Sequence, residues 1–90
     1  MKSKEQLRRE AELAFERVLA HICDEHRDPT GWEAECLSGA LIMMAIADYA
    51  AASSALDCAQ RASLDRHAGP PSTMTCDDLR ASFAMLKKSC

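Results

Sequence analysis

The sequence predicts an all-α fold, a small antiparallel helical bundle of three helices in which a long helical hairpin carries a short C-terminal helix. Three observations predict it. Apolar residues recur at three- and four-residue steps. Serine or threonine stands three residues before Gln6, Glu33 and Asp78, which marks three helix starts. Finally, 48% of the 90 residues are hydrophobic but only 4% are aromatic. Ala and Leu therefore fill places where a sheet would need β-branched and aromatic side chains. The length leaves room for one domain, 1–90, and a chain of this size buries only about 60–65% of its unfolded surface, so its core is thin.

Helix 1 is expected over about 4–27. Ser3 and Gln6 form its capping box, and Leu7, Ala11, Ala14, Phe15, Val18, Leu19, Ile22 and Cys23 form its apolar stripe. Pro29 ends it, because the residue before a proline is pushed out of the helical region. Thr30 and Glu33 then repeat the capping pattern at once, so the next helix runs antiparallel to the first.

Helix 2 is expected over about 31–67, ending where Arg66 and His67 meet the carbonyl terminus ahead of Gly69-Pro70-Pro71. That is about 50 Å of helix. Leu37, Leu41 and Met44 mark one face, and Ile42, Ile46, Tyr49 and Leu56 mark another, the pattern of a central helix covered from several sides. Small residues between Ala45 and Ala55 allow close approach of a neighbour. Gly39 and the Ser53-Ser54 pair are the candidate breaks that would turn three helices into four. Helix 3 is expected over about 76–88, capped by Thr75 and Asp78, with a narrow seam of Leu79, Phe83 and Leu86.

Helices 1 and 3 are shorter than helix 2, which leaves apolar surface at residues 42–56 without a cover from the same chain. A second copy is the expected cover, since two-fold dimers are the commonest soluble assemblies, with a different protein next in line. The function expected is therefore that of a non-enzymatic protein-interaction module. An adaptor, a secretion-type chaperone and a small inhibitor from a phage or other mobile element all fit it equally. The expected partner-binding residues are Trp32, Ile42, Met43, Ile46, Tyr49 and Leu56, rimmed by the acidic turn between helices 1 and 2.

Charge and motifs narrow the other classes. The net charge is −3, from 11 basic and 14 acidic side chains, which disfavours a general grip on polyanions. Residues 61–90 are locally basic, and a helical DNA-binding regulator using Arg61, Arg66, Arg80, Lys87 and Lys88 is the alternative function. Against it, two aspartates stand at the start of helix 3 where a phosphate would sit. No glycine-rich phosphate loop, G-x-S-x-G or H-E-x-x-H occurs, so no enzyme, catalytic residue or cofactor is expected. Asp48, nearly alone among apolar residues, reads as a solvent-facing or register-setting carboxylate. It also argues against a membrane span over Cys36 to Leu56, at about 2.5–3.5 kcal/mol near the bilayer centre.

His21, Cys23, Asp24, Glu25, His26 and Asp28 are the one dense polar cluster, read as an exposed helix end rather than a metal site. The five cysteines at 23, 36, 58, 76 and 90 show no C-x-x-C pair and an odd count. Cys23, Cys36 and Cys58 are expected as small buried thiols and Cys90 as an exposed one. With no apolar secretory segment at the N-terminus, a reducing cytoplasm is the expected location.

Overall fold

The computed structural model describes residues 2–24, 28–64 and 72–89, the last two residues of α3 and Ser89 by backbone alone. Four helices stand where three were expected: α1 (Lys4–Cys23), α2 (Gly31–Ala45), α3 (Tyr49–Leu64) and α4 (Cys76–Ser89). The predicted central helix is a hairpin of two, α2 and α3, and these two pack most closely of all.

The break falls at neither expected position. Gly39 lies inside α2 and Ser53-Ser54 inside α3. The chain turns at Ile46-Ala47-Asp48 instead, through a closed set of backbone hydrogen bonds. The N–H of Ala47 donates to Met44 O at 3.0 Å, and the N–H of Asp48 reaches back to Met43 O at 2.8 Å. Ala47 adopts φ 63, the left-handed conformation this helix ending needs. Asp48 is the N-cap of α3, its Oδ1 accepting from the N–H of Ala51 at 3.2 Å. The isolated carboxylate thus starts a helix.

All three predicted capping boxes are present. Gln6 N–H donates to Ser3 Oγ at 3.2 Å and Ser3 N–H to Gln6 Oε1 at 3.0 Å. The corresponding distances are 3.3 and 2.9 Å for Thr30 with Glu33, and 3.2 and 3.0 Å for Thr75 with Asp78. α1 stops at Cys23, four residues short of its expected end, with Asp24 N–H closing on Ala20 O at 2.8 Å. Residues 25–27, and the expected end of the second helix at Arg66 and His67, lie outside the described residues.

Phe15, Leu19 and Ile22 from α1, Leu37 and Met44 from α2, Leu56 from α3, and Leu79 and Phe83 from α4 form the core. The rings of Phe15 and Phe83 lie 4.5 Å apart, tilted at 32°. Ala40, Ala52 and Ala59 are fully buried in the core where α2 and α3 pack, and of these only Ala52 falls within the small-residue run between Ala45 and Ala55.

One expectation about the cysteines is corrected. Cys23, at the end of α1, is disulfide-bonded to Cys76, the first residue of α4. Spacing along the chain conceals such a pair, because partners are chosen by the turns that bring two helix ends together. Here Cys76 N–H also donates to Asp28 Oδ1 at 3.4 Å, and Ser72 N–H to Pro29 O at 3.3 Å, so the segment entering α4 is held against the α1–α2 turn. Cys36 is half-buried, and Cys58 is exposed rather than buried. Cys90 lies outside the described residues. Among the described residues, no helix is long and apolar enough to cross a membrane.

Candidate interaction surface

Where α2 stops sets the surface. Ile42 and Ile46 are one turn apart on the side of α2 away from the core, at 59% and 66% exposure. Across from them α4 offers Met85, at 69% exposure, one position short of its core-facing seam residue Leu86. Between the two helices runs a groove of about 380 Å³, lined by Ser38, Leu41, Ile42, Ala45, Met74, Ser82, Met85 and Leu86. Ser38 Oγ donates to Met74 Sδ at 3.2 Å, fixing the end of the groove nearest the disulfide.

The six residues expected to bind a partner divide. Ile42 and Ile46 form the exposed pair just described. Trp32, in the first turn of α2, is 54% exposed. Met43 and Tyr49 are half-buried and pack on the core, and Leu56 is 2% exposed within it. The fold-back at Ala47 accounts for this division, since it carries Leu56 to the inside of the hairpin. Met85 is the residue that sequence reasoning missed. Its signal was an apolar side chain off the Leu79, Phe83 and Leu86 seam. Of the acidic residues at and after the α1–α2 turn, Asp24, Asp28 and Glu35 are exposed, while Glu33 is fully buried and accepts from Thr30 N–H.

A second cleft, of about 500 Å³, separates α1 from α3. Ala14, Val18 and Leu56 line it together with Arg17, His21, Asp57 and Gln60.

The basic set is scattered. Arg61 and Lys88 are exposed, and Arg66 lies outside the described residues. Arg80 pairs with Asp77 at 3.5 Å. Lys87 pairs with Glu16 at 3.6 Å and sits 4.5 Å from the centre of the Phe83 ring, so its charge is partly met within the chain. In the polar cluster at the end of α1, Cys23 is committed to its disulfide and is not a thiolate ligand. Glu25 and His26 lie outside the described residues, and among the described ones no group of three His, Cys, Asp or Glu is placed to hold a metal ion.

Among the described residues, the fold and surface define a small protein of four helices with one internal cross-link. No known protein family, curated protein or solved structure matches the chain.

Proposed function

We propose that this chain is a non-enzymatic protein-interaction module that binds through the α2–α4 face. The observation that carries the reading is the exposure of Ile42 and Met85 on one apolar groove, with exposed Ile46 one turn beyond Ile42. Covering each of these side chains on association is worth about 1–2 kcal/mol, and monomers rarely leave such side chains grouped without use. A second copy is the simplest occupant, because a two-fold axis sets the Ile42–Ile46 stripe against its own image. An apolar helix of another protein would use the same groove. The Cys23–Cys76 bond supports work in oxidising surroundings over the reducing cytoplasm expected from the sequence, since disulfides persist there.

Light scattering over a micromolar concentration series tests the reading. The wild type should be a dimer. Ile46→Asp should be a monomer with unchanged helical circular dichroism, since Ile46 contributes little to the monomer's own core. A wild type that stays monomeric and binds no apolar dye overturns it.

A further inference from the structure

Among the described residues two cysteines lie outside the disulfide, and the fold brings them together. Cys36 on α2 and Cys58 on α3 are equally distant in sequence from Ala47, where the hairpin turns, so antiparallel packing sets them side by side. The Cys58 thiol is near enough to Cys36 to act on its ionisation. Each stands near a fully buried alanine of its helix, Cys36 one turn before Ala40 and Cys58 directly before Ala59. The pair also nests within the existing bond, lying between Cys23 and Cys76 in sequence. Cys58 is exposed and Cys36 half-buried, the arrangement of one sulfur open to reagents and a second behind it.

We infer that Cys36 and Cys58 are a redox-active pair that closes into a second, nested disulfide across the α2–α3 hairpin by exchange with a small disulfide such as oxidised glutathione. The thiolate of Cys58 attacks one sulfur of the donor, forming a mixed disulfide and releasing one thiolate, which takes up a proton from solvent. Cys36, giving up its proton to solvent, then attacks Cys58 Sγ and expels the second donor thiol. Two protein thiols are oxidised and one donor disulfide is reduced to two thiols, with no other oxidant needed. In the reduced pair, burial pushes the Cys36 thiol up to about 11, with the hydrogen bond to Cys58, the charge on Cys58 and the charge on Glu35 acting in the same direction. Cys36 is therefore the slower sulfur and suits the second step, in which its target is already beside it.

The test uses the full chain with its Cys23–Cys76 bond intact, incubated with an excess of oxidised glutathione, quenched by alkylation and read by intact mass and peptide mapping. Cys36 and Cys58 should lose both labels together with no glutathione on either, and their two peptides should emerge joined, two hydrogens lighter than the sum of the reduced peptides, whatever Cys90 carries. Cys36→Ser should instead keep one glutathione on Cys58, for want of the second sulfur. Persistent labelling of both residues, stable glutathione on wild-type Cys58, or pairing of either residue with Cys90 overturns the inference.

Discussion

The backbone N–H of Asp48 donates to the carbonyl oxygen of Met43 at 2.8 Å, while the Asp48 side chain accepts from the N–H of Ala51 at 3.2 Å. One residue thus closes α2 and opens α3. Removing its carboxylate in Asp48→Ala should cost about 1 kcal/mol, as lost N-caps do, and Asp48→Asn should restore most of it. Urea denaturation of the three proteins checks this. If Asp48→Ala matches the wild type, the cap is not what starts α3.

Ala47 holds φ 63, where a Cβ crowds the backbone and glycine does not. Ala47→Gly should therefore stabilise the protein by about 1 kcal/mol, against the usual penalty for glycine. Thermal melting checks the sign, and a lower Tm would count against the turn described.

Gly39 is the reverse case. It lies in the interior of α2, and a Cβ built on it meets nothing within 4 Å. Gly39→Ala should stabilise by about 0.5–1 kcal/mol through helix propensity alone, with no change in oligomeric state. A destabilised Gly39→Ala protein would show that this position is not the open helical site described.

These two positions show what could be read from sequence and what could not. Three helix starts were legible, since Ser3, Thr30 and Thr75 carry side chains that directly satisfy free amides, whereas Asp48, which starts α3, reads in sequence as a solvent-facing or register-setting carboxylate. The α2 ending was not, because its signal is a backbone conformation adopted by an alanine, while a glycine eight positions earlier sits in ordinary helix. That single turn also governs the candidate site. It leaves Ile46 at the open end of α2 and sends Leu56 inside, a difference invisible in a pattern read as one continuous rod. The Cys23–Cys76 pair was hidden for a related reason, since it depends on tertiary placement of two helix ends.

The Cys23–Cys76 bond spans 53 positions of sequence. In the chain-entropy account, a loop of that length restricts the unfolded state enough to stabilise the fold by about 4 kcal/mol. Replacing both cysteines by serine should lower the unfolding free energy by that order, and the denaturant m-value should rise as the unfolded chain expands. Guanidinium titrations of the two forms check both numbers. An unchanged m-value would place the effect in the folded state instead.

The division of the six expected partner-binding residues makes a paired prediction. Leu56 is buried at 2% exposure among the core side chains, so Leu56→Ala should leave a cavity and cost about 2–5 kcal/mol of monomer stability. Ile42 and Ile46 each have more than half their surface in solvent, so Ile42→Ala and Ile46→Ala should change monomer stability by about 0.5 kcal/mol or less. Their effect should appear in association: on Ile42→Ala or Ile46→Ala the dependence of Tm on protein concentration should weaken, because a dimer's stability is tied to protomer concentration. Denaturation of each variant at several concentrations separates the two roles. Concentration dependence that survives both isoleucine substitutions would move the contact surface away from α2.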